Sequence, residues 1–350
     1  MQTGILKFQE VYMERIWGGK KLQQVLDRNV PAGASVGEAW LIADHPACES
    51  IVTEGPYQEK TLRELMQKDS TAILGDRVKP TADGRFPLLL KLIDAGDVLS
   101  VQVHPDDDQA EALHEPDGGK TEMWYILDAD QESQLFVGVC PGISRKAMAT
   151  AVSEGDADKL MHAFPVKDGD SIFVSSGIIH AIGAGILLAE IQQNSDITYR
   201  LYDWNRKDVL GNSRQLHVDK ALQVIDFNAP LKESGQSLRY EEDGRIHEVL
   251  AACSYFATEK LILSEAATFK NDNAFHIIHA IENEARVIGE NTTCLLKRGE
   301  AALIPANEVQ WTVKTKMPVL HYFVPNIQAD IVAPLQRHGY TEAQIHALAI

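Results

Sequence analysis

The chain has 350 residues, of which 45% are hydrophobic and 24% are charged, so it can form one large domain or two of ordinary size. Fifty acidic residues against 33 basic ones give a formal net charge of −17. This charge repels phosphate backbones and anionic lipid, which argues against nucleic-acid and membrane partners. An anionic small molecule would need a local cluster of Lys and Arg to bind.

The cysteines and the first residues indicate a cellular compartment. Four cysteines, far apart and without CxxC spacing, predict reduced thiols rather than disulfides or a cysteine metal site. The first residues carry Lys7, Glu10 and Arg15 where a signal peptide would need an apolar run. No stretch approaches the roughly 18 apolar residues of a membrane span. We therefore expect a cytoplasmic protein.

Strand-like patterns dominate the chain. Runs that are apolar or alternate apolar and polar predict strands, in chain order, at 86–93, 98–104, 120–127, 171–175, 178–182, 186–192 and 197–202. Helical periodicity is confined to 60–74, 105–114, 144–163, 206–225 and 341–349. Many short strands bounded by Gly, Pro and Asp favour a mainly β fold, a barrel or sandwich with a few packed helices.

A weak internal repeat divides the chain. The polar, turn-rich segment 228–245 is the best candidate for a domain boundary. Residues 167–180 (KDGDSIFVSSGIIH) align with residues 297–310 (KRGEAALIPANEVQ), so that His180 meets Gln310. We interpret this alignment as two related β-units, the second of which lacks the histidine of the first.

Alternation along a strand determines which polar side chains can converge. It places four sets on common faces: Ser100, Gln102 and His104; Lys120, Glu122 and Trp124; Glu190 with Ile186 and Leu188; and Arg200 with Thr198 and Tyr202. A solvated outer face is the ordinary explanation for any single strand. Surface positions would, however, favour interchangeable Lys, Glu, Thr and Ser, and these sets contain His, Gln and Glu.

Three of these residues form a plausible metal-binding shell with His180, which follows a strand–turn–strand pattern that would aim it inward. They provide two imidazoles, one carboxylate and one amide oxygen, from His104, His180, Glu122 and Gln102. Such a mixed nitrogen and oxygen shell suits a borderline divalent ion. Zn²⁺ is the leading candidate, and Mn²⁺, Co²⁺ and Fe²⁺ remain open because sequence gives ligand types without geometry. A shell without thiolates favours Lewis-acid chemistry.

Two cations and a hydroxyl next to this shell form a possible anion clamp. Taken alone, Lys120 would be a solvated lysine and Arg200 a surface ion-pair partner. Together with Ser100 they could bind a phosphate, because Arg contacts phosphate oxygens bidentately and Lys supplies a point charge. In a chain with a net charge of −17, a phosphate would need such a pair.

Four runs carry a family resemblance: LSVQVHPDD (99–107), GKTEMWYI (119–126), SSGIIHAIGAGI (175–186) and AEIQQNSDITYRLYDW (189–204). Together with ERIWGG, GEAW and GRFPLLLKLIDA nearer the N-terminus, they resemble the type I mannose-6-phosphate isomerases of the cupin superfamily. The resemblance implies a mainly β bicupin fold, two jelly-roll β-barrels with a few packed α-helices, in the compact bacterial form. It implies a catalytic cupin domain over 1–235 and a C-terminal cupin domain without metal over 236–350.

The resemblance also implies site residues. One zinc ion per chain would be held by Gln102, His104, Glu122 and His180. The substrate-binding positions would be Ser100, Lys120 and Arg200. The catalytic positions would be Arg200, Lys120 and Glu190, with Arg200 as the usual active-site residue. Gln102 stands where many cupins have His, which is ordinary for the isomerases and argues against oxygen-activating relatives.

The implied reaction is the reversible isomerisation of D-mannose 6-phosphate and D-fructose 6-phosphate through a cis-enediol(ate). Glu190 and Lys120 are both candidates for the proton transfer. Two alternatives remain at this point. A metal-dependent cupin dioxygenase or decarboxylase would usually present three His and one Glu and would need no phosphate clamp. A non-catalytic sugar-binding cupin would be expected to have lost one of the presumed ligands.

Overall fold

The computed structural model describes residues 3–207, 211–231 and 234–348. The chain divides into two compact units. We call one the central unit, Tyr12–Ala39 and Leu92–Ser234, and the other the C-terminal unit, Met1–Val11, Trp40–Lys91 and Gly235–Ile350. The assignment of 1–235 and 236–350 to separate domains stays a prediction.

Strands dominate, as expected. They are β1 (Leu6–Lys7), β2 (Val11–Glu14), β3 (Val36–Ile42), β4 (Asp44–His45), β5 (Cys48–Glu49), β6 (Leu88–Ala95), β7 (Val101–Val103), β8 (Glu122–Ala129), β9 (Gln134–Val139), β10 (Met161–Pro165), β11 (Ser171–Val174), β12 (His180–Ile182), β13 (Ile186–Gln193), β14 (Tyr199–Tyr202), β15 (Leu238–Glu242), β16 (Arg245–Ala252), β17 (Ala257–Leu263), β18 (Ala266–Lys270), β19 (His276–Ala280), β20 (Ala285–Ile288), β21 (Thr293–Leu296), β22 (Ala301–Ile304), β23 (Gln310–Lys314) and β24 (Val319–Phe323). Each of the seven strands predicted from sequence overlaps an observed strand.

The helices are short and few. They are α1 (Lys21–Gln24), α2 (Leu62–Leu74), α3 (Asp107–Ala112), α4 (Arg145–Glu154), α5 (Val218–Val224), α6 (Ala333–Arg337) and α7 (Glu342–His346), with a 3₁₀ turn at Ala157–Leu160 and a π turn at Ile327–Val332. Within the described residues, no helix is long and apolar enough to cross a membrane. All four cysteines are free thiols, as predicted.

Two sheets enclose the core of the first barrel. A six-stranded sheet has the order β11-β8-β13-β6-β3-β2, and a five-stranded sheet has the order β10-β9-β12-β7-β14. Trp124 and Leu188 from the first sheet pack with Leu135 and Ile182 from the second in one buried cluster. The inward-facing apolar positions of both sheets therefore share one core, as in a β-barrel of two facing sheets.

The C-terminal unit repeats this arrangement. Its seven-stranded sheet has the order β1-β22-β19-β24-β17-β16-β15, and its four-stranded sheet has the order β18-β23-β20-β21. Ile278 and Ile304 from the first pack with Val287 and Val313 from the second. In the larger sheets, the neighbouring strands β11-β8-β13-β6-β3-β2 of the first barrel correspond in order to β22-β19-β24-β17-β16-β15 of the second. In the smaller sheets, β10-β9-β12-β7 correspond in the same way to β21-β20-β23-β18. The prediction of a mainly β fold with two related barrels is confirmed.

The turn that opens the sequence repeat is built identically in both barrels. Gly169 and Gly299 both have positive φ, +86° and +81°, which glycine adopts without steric cost. The carboxylates of Asp170 and Glu300 each accept a hydrogen bond from the backbone N–H three residues earlier, at 3.0 and 2.8 Å. The weak alignment of 167–180 with 297–310 therefore reflects equivalent structure.

Two helix predictions are wrong in extent. The helix predicted over 206–225 is only α5, Val218–Val224; His217 instead donates its backbone N–H to the carbonyl oxygen of Arg200, which holds that part beside β14. Residues 208–210 of that prediction lie outside the described part. The helix predicted over 144–163 ends at Glu154, where Gly155 adopts the left-handed C-cap conformation. The predicted tail helix is α7, and Ala349 lies outside the described residues.

Candidate metal centre and active site

Three potential metal ligands meet inside the first barrel. Glu122 begins β8 of the six-stranded sheet, His180 begins β12 of the five-stranded sheet, and His104 directly follows β7. Each can offer a ligand atom within 4.8 Å of the ligand atoms of the other two. All three side chains are buried. The convergence that the sequence predicted for these three residues is therefore present.

Hydrogen bonds to the backbone orient both imidazoles. Nδ1 of His104 lies 2.6 Å from the carbonyl oxygen of Ile197, and Nδ1 of His180 lies 2.9 Å from that of Ile178. A carbonyl oxygen can only accept, so each Nδ1 carries the proton and each Nε2 is left as a potential ligand. The two Nε2 atoms lie 3.6 and 3.2 Å from the oxygens of Glu122.

The charge state of the cluster suits a cation. Burial and, to a smaller extent, the nearby charge of Lys120 lower the pKa of His180 to about 4. This imidazole is therefore neutral at pH 7, which is the form that binds metal. Lys120 Nζ lies 2.9 Å from Oε2 of Glu122 and compensates part of the buried carboxylate charge. The donor set of two imidazoles and a carboxylate fits a borderline divalent ion.

Gln102 borders the cluster through its amide. Its Nε2 lies 3.3 Å from Nε2 of His180, and its Oε1 lies 3.4 Å from Oγ of Ser100. Oxygen and nitrogen of an amide exchange places when it turns by 180°, a rotation that costs no packing. The turned amide would present its oxygen to the ion, so the position of Gln102 is compatible with its predicted role as the fourth ligand.

Two further predicted site residues, Arg200 and Glu190, lie on β14 and β13 of the same barrel. Arg200 on β14 is half-buried and directs Nε toward Oγ of Ser100 at 3.3 Å. Burial lowers the pKa of Arg200, and so does the neighbouring charge of Arg214. Glu190 on β13 is 2% exposed and accepts a hydrogen bond from the indole N–H of Trp124 at 2.8 Å.

One predicted face is corrected. The sequence placed Arg200 and Tyr202 on a common face, but a register shift lies between them in the pairing of β14 with β7. Arg200 faces the site, whereas the ring of Tyr202 packs in a separate apolar cluster and its hydroxyl donates to the carbonyl oxygen of Gly155. A β-bulge changes the side on which the following residue lies, which strict alternation cannot predict.

Sequence reasoning missed several residues that support the site. Trp124 was placed on the ligand face without a function, although its N–H binds Glu190. Asp203, Arg214, Gln215 and His217 were not singled out, and all of them lie next to Arg200 or its strand. Of these residues, only Asp203 could have been found from the sequence. An acid that directly follows a strand is expected to need a cationic partner if it is buried.

The second barrel has different side chains at the corresponding positions. Glu122 pairs with Val174 across β8 and β11, as His276 pairs with Ile304 across β19 and β22. The same comparison of pairing registers relates Lys270 to Gln102, Asp272 to His104 and Gln310 to His180. Within the described residues, no second group of three or more His, Cys, Asp or Glu brings all of its ligand atoms within 4.8 Å of one another.

Two facing sheets around a buried His–Glu–His group define a cupin with a potential metal centre in its first barrel. Two family models match the chain: phosphomannose isomerase type I, catalytic domain, over residues 5–140, and mannose-6-phosphate isomerase, cupin domain, over residues 246–324. The matches include the ligands on β7 and β8 and most of the second barrel.

Whole-chain relatives agree. ManA, a mannose-6-phosphate isomerase of Bacillus subtilis (strain 168), is 38% identical over 309 residues, covering 87% of this chain and 94% of the relative. The enzyme of Streptococcus mutans is 33% identical and covers 85% of this chain and 91% of the relative. The crystal structure of the B. subtilis mannose 6-phosphate isomerase has a TM-score of 0.83 at 33% identity, covering 91% and 99% of the two chains. The chain belongs to the type I mannose-6-phosphate isomerase family and is an aldose–ketose isomerase.

Proposed function

We propose that this chain interconverts D-mannose 6-phosphate and D-fructose 6-phosphate with one divalent cation, Zn²⁺, held by Gln102, His104, Glu122 and His180. The observation that carries the proposal is the convergence of two oriented imidazoles and one carboxylate in a buried site, directly beside Lys120. The matches support an isomerase and give no support to a dioxygenase, a decarboxylase or a non-catalytic sugar-binding protein.

The reaction moves one proton between neighbouring carbons of the open-chain sugar. A C–H bond next to a carbonyl is a weak acid, so the enediolate that forms needs positive charge near its oxygens. When bound, the cation supplies this charge as a Lewis acid. The protein must also position a base within hydrogen-bond reach of the proton.

Arg200 and Ser100 are suited to bind the phosphate of the substrate. The guanidinium provides several N–H donors in one plane, and the hydroxyl adds a further donor beside it. Lys120 contributes a positive charge beside Glu122 of the ligand cluster. This local positive field offsets the chain's net charge of −17 for an incoming sugar phosphate.

Glu190 is the stronger candidate for the base. Lys120 is already bound to the carboxylate of Glu122, and an ammonium group in an ion pair cannot accept a proton. Glu190 is a buried carboxylate, and the N–H of Trp124 fixes the direction of its side chain. We therefore assign the transfer between C2 and C1 to Glu190, and a supporting charge to Lys120.

A coupled assay with mannose 6-phosphate, before and after chelation, tests the proposed function. We expect turnover to fall with metal content and to return when Zn²⁺ is added to the same sample. Full activity in a metal-free preparation would contradict the role of the cation. No turnover in a sample with one ion per chain would contradict the isomerase itself. The cytoplasmic location and the lack of nucleic-acid and membrane partners stay predictions from sequence.

A further inference from the structure

The segment before α5 contacts Arg200 at three points. The carbonyl oxygen of Gln215 accepts a hydrogen bond from Nη1 of Arg200 at 2.9 Å. His217 donates its backbone N–H to the carbonyl oxygen of Arg200 at 2.7 Å, and its Nδ1 accepts the backbone N–H of Arg200 at 3.3 Å. Arg200 therefore depends on this segment for both its backbone and its guanidinium.

One ion pair fastens the segment to the strand. Asp203, the residue directly after β14, is 6% exposed and accepts hydrogen bonds from Nε and Nη2 of Arg214, the first at 2.7 Å. Burial raises the pKa of Asp203, but hydrogen bonds from Arg214 and Arg206 hold it below its ordinary value. A two-pronged arginine pair fixes direction as well as distance. Gln215 is the next residue along the chain.

We propose that Arg214 is a positioning residue for the active site, which acts by holding the carbonyl of Gln215 against the guanidinium of Arg200. The inference rests on the proposed role of Arg200 in substrate binding. The other side-chain contact of Arg200, with Ser100, is longer at 3.3 Å. Without the Gln215 carbonyl the guanidinium gains rotamer freedom, and a misplaced binding group lowers the rate.

A double-mutant cycle tests this inference. Arg214→Met should lower kcat/KM for mannose 6-phosphate about tenfold, with metal content unchanged. Arg214→Lys keeps the charge but not the two-pronged geometry, so it should lose nearly as much. In an Arg200→Ala background, Arg214→Met should cost nothing further. Lys159→Ala, which breaks an exposed ion pair with Asp156 in the same unit, is the matched control and should keep full activity.

Each result of the cycle is decisive. Unchanged activity of both Arg214 variants would overturn the inference, and so would an equal loss with and without Arg200. Loss of the metal in the Arg214 variants would assign them a structural role instead. Full activity of Arg200→Ala alone would contradict the proposed role of Arg200, which is a different failure.

A different observation, in the C-terminal unit, carries a second inference. Four hydrogen bonds join five side chains across the larger sheet. The distances are 3.1 Å from Asp272 Oδ1 to His276 Nε2, 2.9 Å from His276 Nδ1 to His321 Nε2, 2.7 Å from His321 Nδ1 to Glu259 Oε1, and 2.8 Å from Glu259 Oε2 to His247 Nδ1. His276 and Asp272 occupy the positions that correspond to Glu122 and His104.

The bonds fix the number of protons on the two central rings. Between the carboxylates of Asp272 and Glu259, three hydrogen bonds each need one proton on a ring nitrogen of His276 or His321. Two neutral imidazoles carry only two such protons. The pair therefore holds one extra proton when both carboxylates are ionised, whichever tautomers are assigned.

The surroundings bear on where this proton sits. Burial lowers the pKa of His321, which disfavours a second proton on that ring. Hydrogen bonds from His276 and His247 hold the pKa values of Asp272 and Glu259 at about 2, against the effect of burial, so both acids are ionised at neutral pH. The other charged and titratable groups around the row are Arg77 on Asp272, and Tyr240, Glu242 and Arg245 around His247.

We infer that the second barrel binds a proton, shared by His276 and His321 between two carboxylates, at the counterpart of the metal site. The arrangement places an imidazolium between the buried Glu259 and the more exposed Asp272, where the first barrel presents ligands to a cation. Asp272 also forms an ion pair with Arg77, so its carboxylate is less available to bind a metal.

Nitrogen-15 spectra of the histidine rings in the whole enzyme test this second inference. At pH 6.5 we expect one ring protonated on both nitrogens and hydrogen-bonded to a ring protonated only on Nδ1. Asp272→Asn and Glu259→Gln should each reduce the proton affinity of the pair, and a shift of its titration to lower pH measures that effect. Two neutral rings in the folded wild-type enzyme at pH 6.5 would overturn the inference, without any need for a stable variant.

Discussion

Lys120 Nζ lies 2.9 Å from the same carboxylate of Glu122 that faces both imidazoles of the ligand cluster. The lysine and the presumed cation therefore share one counter-ion. Their charges repel each other across that carboxylate, so we expect the lysine to support the reaction while it lowers the metal affinity. Removing the lysine should separate the two effects.

We expect Lys120→Met to lower kcat by at least about tenfold while the enzyme keeps its metal or binds it more tightly, because a like charge is removed from the site. Steady-state kinetics and a competition titration with a chelator measure both effects. Lys120→Arg is the matched variant and should keep the weaker metal affinity. Joint loss of metal and activity in Lys120→Met would instead assign the lysine to the integrity of the ligand cluster.

His104→Ala should abolish both metal binding and activity. The variant removes one of three converging ligands and leaves Glu122 with a single imidazole. Metal analysis after dialysis and the coupled assay measure the two losses. His162→Ala, at a half-buried histidine on β10, is a suitable control and should retain one ion per chain. Retention of the ion by His104→Ala would contradict this ligand assignment.

Glu190→Gln should lower kcat by about 10² to 10⁴, because the amide cannot take a proton but still accepts the hydrogen bond from Trp124. KM and metal content should change little. Trp124→Phe removes the N–H donor and part of a buried ring but leaves the carboxylate of Glu190 in place, so it should cost less. If Glu190→Gln kept wild-type turnover, the base would have to be another group, with Lys120 as the remaining candidate.

Asp94 should make stability depend on pH. It is fully buried, Oδ2 accepts the backbone N–H of Leu22 at 2.8 Å, and burial raises its pKa from 3.8 to about 6. A carboxyl whose pKa is higher in the folded protein than in the unfolded chain contributes fully to stability below the unfolded pKa. That contribution is lost as the pH rises through the pKa of the folded protein. The window is therefore about pH 4 to 6.

Asp94→Asn keeps an acceptor for Leu22 without the buried charge. We expect the free energy of unfolding of Asp94→Asn, relative to that of the wild type, to increase by roughly 1 kcal/mol from pH 5 to pH 8. Urea unfolding at the two pH values measures this difference. Asp27→Asn, at an exposed position, should show no such trend. An equal difference at both pH values would contradict the raised pKa.

The sequence predicted the local parts of the architecture well. Period-two alternation identified the strands that carry Gln102, Glu122 and Arg200, because the side on which a strand residue lies is a property of the strand alone. The repeat around Gly169 and Gly299 also predicted the second barrel, since a turn with positive φ constrains the sequence directly.

Tertiary structure determined which of these side chains meet. The approach of two imidazoles to Glu122, the hydrogen bond from Trp124 to Glu190 and the ion pair of Arg214 with Asp203 join positions whose proximity follows from how strands and loops pack. The bulge that separates Arg200 from Tyr202 is likewise a feature of strand pairing. Sequence periodicity gives the face of each strand, but strand order and register, which depend on contacts far apart in the chain, decide what each face touches.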